Sequence, residues 1–163
     1  MQHLCLATAS PQLWLRRLLS ADAQELQQLM MRNRAHLTAH GDYLDQTQSS
    51  VSDLKAELTW CAERNWRFGI YYQHELIGRV DLLGIEPPRY GVGYWLSEAH
   101  TGNGFAKQAV GAVVDFAAAT CGASDLFAGV SHGNTPSVGL LSRLGFQPVA
   151  RFDTYTRYHL AIR

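Results

Sequence analysis

Net charge is the first thing this chain lacks: Lys and Arg together number 14, and so do Asp and Glu. A balanced chain has no long-range field to draw in a phosphate backbone or an anionic bilayer. No basic run is interleaved with aromatics either, so neither nucleic acid nor membrane is expected as a partner. Cysteine is scarce. Cys5, Cys61 and Cys121 are odd in number and too far apart for a metal knuckle, which suits small buried hydrophobes kept as reduced thiols in the cytoplasm. No stretch approaches the ~20 apolar residues of a membrane span, and no basic segment leads into a long apolar run at the N-terminus. A soluble, unexported protein is the expectation. Repeats, low-complexity tracts and linkers are missing too. At 163 residues and 47% hydrophobic, the chain is one domain's worth with a single core. We expect one domain over 1–163, with residues 1–11 an N-terminal extension.

Strands and helices alternate along the sequence. Leu13 to Leu18 reads as a first strand, Ala21 to Met31 as a helix entered at Ser20, and Arg32 to His40 as a second helical stretch. Ser50 and Asp53 stand at capping-box spacing before a helix running to about Arg64. Trp66 to Tyr72 and Leu76 to Leu83 are aromatic and β-branched runs separated by a short turn, the pattern of a hairpin. Pro87-Pro88 ends that pair, and Tyr90 to Leu96 follows as a fourth strand, whose Gly91 and Gly93 admit a bulge or a close backbone approach. Phe105, Ala109, Val110, Val113, Phe116 and Ala117 fall at helical spacing. Leu126 to Val130 is an uncharged strand suited to a sheet centre, Thr135 to Leu144 a helix, and Phe146 to Ile162 a last hairpin turning through Asp153, Thr154 and Tyr155.

The segment Thr101-Gly102-Asn103-Gly104-Phe105-Ala106 joins the fourth strand to the apolar helix. The first turn of a helix has unpartnered N–H groups and the positive end of the dipole, so glycines there admit an anion to hydrogen-bond distance. A P-loop would place Lys and then Ser or Thr after the last Gly, but Phe105 and Ala106 stand there. A dinucleotide fingerprint would place Gly or Ala where Lys107 stands. The remaining pattern, Arg/Gln-x-x-Gly-x-Gly/Ala, resembles the acetyl-coenzyme A pyrophosphate loop of the GNAT superfamily of N-acetyltransferases, with Thr101 in place of the usual Arg or Gln. Gly93-Tyr94-Trp95-Leu96-Ser97 looks like the fourth strand of the RimJ/RimL branch, which acetylates ribosomal-protein N-termini. Asn134-Thr135-Pro136-Ser137 matches that branch's Asn-x-x-Ser, and Leu141 to Phe146 resembles the helix end and Gly-Phe turn that follow.

The resemblance implies a mixed α/β GNAT domain of about six to seven strands with a splayed pair, and four to five helices. It implies acetyl-coenzyme A as cosubstrate and a primary amine as acceptor, the amine being a protein N-terminus, a small amine or an antibiotic. A monomer or homodimer is expected. The implied coenzyme-binding residues are Trp95, Leu96, Thr101, Gly102, Asn103, Gly104, Phe105, Ala106, Asn134 and Ser137. Direct attack in a ternary complex needs no nucleophilic residue, only positioning, a donor for the thioester oxyanion and proton carriers. A free backbone N–H near Trp95 or Leu96 would serve as that donor, and Ser137 would protonate the leaving thiolate. Many relatives have a Glu where Gly91 stands, so the base falls to Asp81 or Glu86 acting through water. Tyr155 is a further acid candidate. The polar stretch from Arg32 to Ser50, with Tyr155, should line the acceptor groove. Its Arg32, Arg34, His36, His40, Asp42 and Asp45 mix both signs, which suits a peptide better than a polycation. His36 and His40 have metal-ligand spacing, but no third ligand and no His-Glu-x-x-His accompany them, so no metal is expected. His132 reads as a loop residue beside the coenzyme. Two competing readings are a non-catalytic acetyl-coenzyme A sensor and a nucleotide-binding regulator.

Overall fold

A computed structural model describes residues 4–163, in which β-branched and aromatic runs form one sheet and the amphipathic segments form five helices around it. The strands are β1 (Cys5–Ala7), β2 (Leu13–Arg17), β3 (Asn65–Tyr72), β4 (Glu75–Glu86), β5 (Arg89–Leu96), β6 (Asp125–Ser131), β7 (Gln147–Arg151) and β8 (Tyr155–Ala161). The helices are α1 (Ala23–Arg32), α2 (Arg34–Leu37), α3 (Val51–Thr59), α4 (Phe105–Ala119) and α5 (Thr135–Arg143). The sheet order is β1-β2-β3-β4-β5-β6-β8-β7, antiparallel except for the parallel pair β5 and β6. This is a mixed α/β fold built on one eight-stranded sheet, where the resemblance implies six to seven strands. The additional strand is β1, which pairs Cys5 to Ala7 with Arg16 to Trp14. Three residues are too few to show an alternation in the sequence. The expected extension over residues 1–11 thus includes an edge strand, while residues 1–3 lie outside the described residues.

Apolar side chains on the two faces of the sheet pack against different helices. The apolar stripe of α4, formed by Ala109, Val110, Val113, Phe116 and Ala117, packs on Leu13, Leu15, Phe68, Ile70, Val80 and Leu82. Leu26, Leu29 and Met30 of α1 and Leu54 and Leu58 of α3 form a second cluster with Leu18, Tyr71, Leu76 and Trp95. The capping box is as read: Ser50 Oγ accepts from the Asp53 N–H at 3.0 Å, and Asp53 accepts from the Ser50 N–H at 3.1 Å. Its helix ends at Thr59 rather than near Arg64, and the helix expected over 32–40 is reduced to the four residues of α2. The close approach expected at Gly91 or Gly93 falls on the other strand. A Cβ at Gly78 would sit 2.5 Å from the Trp95 carbonyl oxygen, whereas one at Gly93 would meet nothing within 4 Å. The bulge between β4 and β5 lies at Gly84–Glu86.

One group of charges is buried under α3. Arg79 is 4% exposed, and its Nε donates to Asp81 Oδ1 at 2.8 Å while its Nη2 pairs with Glu57 Oε1. Arg67 sits opposite Asp81 on β3 and donates to Asp81 Oδ2 at 2.9 Å. Burial alone would lower the Arg79 pKa, but Asp81 and Glu57 reverse the sign, so the guanidinium stays charged. Removing one partner of such a network leaves an uncompensated charge in a poorly solvated site. Arg79→Ala should therefore lower the free energy of unfolding by about 3–5 kcal/mol, measured by urea denaturation. The double change Arg79→Met with Asp81→Leu, which removes both signs, should recover most of that loss.

Candidate active site

The strands β5 and β6 pair over only three residues, Arg89 to Gly91 with Asp125 to Phe127. Beyond Gly91 they part, and the opening leads into a cleft of about 780 Å³. A cleft of that size is enough for a ligand larger than a simple metabolite. One side is built from residues 36–46, the floor from residues 92–96 and 129–131, and the other side from residues 101–107 and 134–143.

The period of two along β5 decides which backbone groups face the opening. The Ser97 N–H donates back to the Ile77 carbonyl of β4 at 2.7 Å, so Trp95 and Gly93 belong to the set that faces β4. The Tyr94 carbonyl faces the other way and accepts from the Tyr43 hydroxyl at 2.7 Å. By the same alternation the N–H groups of Val92, Tyr94 and Leu96 point into the opening. Of the two positions expected for an oxyanion donor, Leu96 has the required orientation and Trp95 does not.

At the far end of β5 the glycine loop delivers the N-terminus of α4. Gly102 (φ 83°) and Gly104 (φ 76°) are left-handed, and a Cβ at either would meet no protein atom within 4 Å. Gly104 is the N-cap, with no side-chain cap and no acidic residue in the first turn. The positive end of a 15-residue helix therefore faces the cleft bare. Lys107 and Arg143 stand on the same side of the cleft and add two cations suited to phosphates. Neither was singled out from the sequence as a binding residue. Lys107 was weighed only for the glycine it replaces, and Arg143 gains its place only when α5 folds beside α4.

Of the ten coenzyme-binding residues expected, Trp95, Leu96, Thr101, Gly102, Gly104, Phe105, Ala106, Asn134 and Ser137 line the cleft. Asn103 does not. Its amide turns back toward the loop's own His100 and Thr101 carbonyls, at 3.4 Å each. The Thr101 hydroxyl likewise donates to the Glu98 carbonyl at 2.8 Å, which leaves Thr101 a backbone contribution. Asn134 caps α5, its Oδ1 accepting from the Ser137 N–H at 3.5 Å. Ser137 shares the cleft with Tyr94, whose phenol is buried and completes no hydrogen bond; burial pushes its pKa up, and the nearby Ser137 hydroxyl opposes that shift.

The carboxylates expected as bases lie elsewhere. Asp81 is committed through both oxygens to Arg67 and Arg79 and is not part of the cleft lining, a correction that follows from the ionic network under α3. Glu86 is exposed at the end of β4 and pairs with Arg89 at 3.2 Å. Tyr155 begins β8 rather than lying in the hairpin loop, and stacks on Phe152 at 4.7 Å away from the cleft. Within the 32–50 stretch, His36, His40 and Asp42 reach the cleft, whereas Arg32, Arg34 and Asp45 do not. The nearest partner of His36 is Glu98, at 3.8 Å. No group of three or more potential metal ligands occurs among the described residues. His132 sits after β6, bonded through Nε2 to Thr156 Oγ1 at 3.3 Å, outside this cleft. Tyr43 and Gln46 reach the cleft from within the expected 32–50 stretch, whereas Ser131 has no sequence signal and owes its place to the end of β6.

Comparison with known proteins follows the same lines. The curated relative p20 of Bacillus licheniformis, an uncharacterized N-acetyltransferase, is 35% identical over 95 residues, 56% of this chain and 53% of that protein. The chain thus spans about half the length of the curated relative it matches. Among solved structures, the ribosomal L7/L12 alpha-N-protein acetyltransferase RimL, in complex with coenzyme A, superposes with a TM-score of 0.85 at 21% identity, covering 98% of each chain. The spermidine N-acetyltransferase of Vibrio cholerae, in complex with coenzyme A and spermine, gives 0.79 at 20% identity over 93% of this chain and 96% of that one. At such identities the likeness fixes the fold and leaves the substrate open. Residues 12–147 match the acetyltransferase (GNAT) domain, from the first residues of β2 to the start of β7, and the chain belongs to that family.

Proposed function

We propose that the protein transfers an acetyl group from acetyl-coenzyme A to a primary amine by direct attack within a ternary complex, in the cytoplasm, and that the amine is a peptide N-terminus. The observation that supports this best is the opening of β5 from β6 onto the bare N-terminus of α4. Unpaired peptide groups on β5 suit the two amides of a pantetheine arm, and the helix N-terminus with Lys107 and Arg143 suits its phosphates. Family membership and the coenzyme A-bound structures with the same fold point the same way. The three cysteines are free and, contrary to the buried hydrophobes expected, Cys5 is exposed while Cys61 and Cys121 are half-buried, which suits a reducing compartment.

In this reading the chain's own groups act as follows. The acceptor ammonium first releases one proton to water in the cleft, and its neutral nitrogen then bonds to the thioester carbonyl carbon while the Leu96 N–H donates to the carbonyl oxygen. The C–S bond then breaks, and the Ser137 hydroxyl gives its proton to the departing sulfur, to be reprotonated from the new amide nitrogen. Asp81 stabilises the fold and takes no part in these steps. For the acceptor, the described lining offers one carboxylate and two imidazoles. A polycation would be held better by several carboxylates, so a peptide N-terminus is preferred over spermidine.

Three measurements test the reading. Gly104→Val adds a side chain where the protein has none and forces a β-branched residue to φ near 76°. Coenzyme A binding by calorimetry should weaken at least tenfold, while the strain removes roughly 1–2 kcal/mol of stability; unchanged affinity in a folded variant excludes the phosphate loop. Ser137→Ala should reduce kcat by about 10- to 10²-fold with the KM for acetyl-coenzyme A nearly unchanged, followed as thiol release. In the same assay kcat/KM should be higher for short peptides with free N-termini than for spermidine. A hundredfold preference for spermidine would reverse the acceptor assignment, and no thiol release with either would leave a non-catalytic coenzyme sensor.

A further inference from the structure

The loop after α2 bridges the two arms of the opened sheet. Gly41 (φ 85°) and Tyr43 (φ 60°) both adopt left-handed backbone, and the turn between them projects two consecutive side chains into the cleft. Tyr43 reaches β5, donating its hydroxyl to the Tyr94 carbonyl. Asp42 reaches β6, where its Oδ1 accepts from Ser131 Oγ at 2.6 Å. The Ser131 bond fixes the carboxylate in place and leaves Oδ2 toward other partners.

Two features of Asp42 mark it out. Among the described residues that line the cleft it is the only carboxylate, and no described Lys, Arg or His lies within ion-pair distance of it. The other titratable groups of the lining are His36 and His40 beside α2, Tyr43 on its own loop, Tyr94 of β5, and Lys107 and Arg143 on the coenzyme side. A half-buried carboxylate without a cation is poorly compensated, and it gains most from a cationic ligand that arrives with its own donors. Resting on the reading of the cleft as an acetyl-transfer site, we propose that Asp42 binds the ammonium group of the acceptor, which makes the cleft selective for amines with a single positive charge at the reacting end. The ammonium donates to Oδ2 and so enters between the arms of the sheet, and it passes one proton to water in the open cleft before its neutral nitrogen attacks the thioester. A second ammonium on the same ligand would find no further carboxylate in the lining.

Asp42→Asn tests this directly, because the amide keeps an oxygen for Ser131 and removes only the charge. With the best amine of a panel, the KM for the amine should rise about 10- to 10²-fold, while the KM for acetyl-coenzyme A changes less than twofold. The wild-type KM for the amine should also rise between 50 and 500 mM salt, roughly as expected for a screened ion pair, and that dependence should vanish in the variant. A purely structural role for the loop would instead lower thermal stability and affect both KM values without altering the salt dependence. An amine KM within twofold of wild type, or a salt dependence that persists in the variant, overturns the assignment of Asp42 while leaving the transferase reading intact. A wild-type protein that binds coenzyme A but acetylates nothing in the panel overturns both.

Discussion

The parting of β5 from β6 is the constraint on which the rest of the structure depends. Parallel strands joined by a helix would ordinarily pair along their length, and each unpaired backbone group left in a buried place is costly. Here pairing stops after Gly91 and Phe127, and the groups beyond are provided for singly. The Tyr94 carbonyl takes the Tyr43 hydroxyl, and the N–H groups of alternate residues are left to face the cleft. On the other flank β4 holds β5 closely, with Gly78 leaving room for the Trp95 carbonyl. One edge of β5 is thus saturated and the other open, an asymmetry that makes a central strand behave as an edge strand without being exposed at the rim of the sheet.

The buried charges beneath α3 work on a different part of the same problem. Arg67 and Arg79 clamp the Asp81 carboxylate from neighbouring strands, and Glu57 ties them to α3. The Arg67 Nε is left buried without a partner, so the network is not fully satisfied. Its position on β3 and β4 braces the half of the sheet that stays closed. Both Asp81 oxygens accept from guanidinium groups, and the carboxylate has no place in the cleft lining.

How far the sequence was legible depended on the range of the interactions involved. The α4 stripe, the Ser50 capping box, the β3–β4 hairpin and the left-handed glycines are local patterns, and each lies where the spacing put it. β1 has no sequence signal because three residues hold no pattern, and the 32–40 segment holds only the single turn of α2, which ends at Leu37. Ser137, Gly102 and Gly104 line the cleft that their motifs pointed to. Asp81 was misread as a base because its neighbours in space, Arg67 and Glu57, are distant in sequence. Asp42 was read only as one of six mixed charges, since nothing local tells it from Asp45; the difference is Ser131, 89 positions away.

The bridge made by Asp42 and Tyr43 joins two stretches of chain that otherwise line opposite sides of the cleft. Residues 36–46 supply one wall of the cleft, and residues 101–143 supply the other together with its phosphate end. The two walls meet only through side chains on the floor between them. The short first segment carries no core helix of the sheet, while the second is tied to the N-terminus of α4 and to the core that α4 forms. Under the proposed reading, the wall that meets the acceptor and the helix terminus that meets the coenzyme are separate stretches of chain, so a change in residues 36–46 can alter what enters without disturbing the N-terminus of α4.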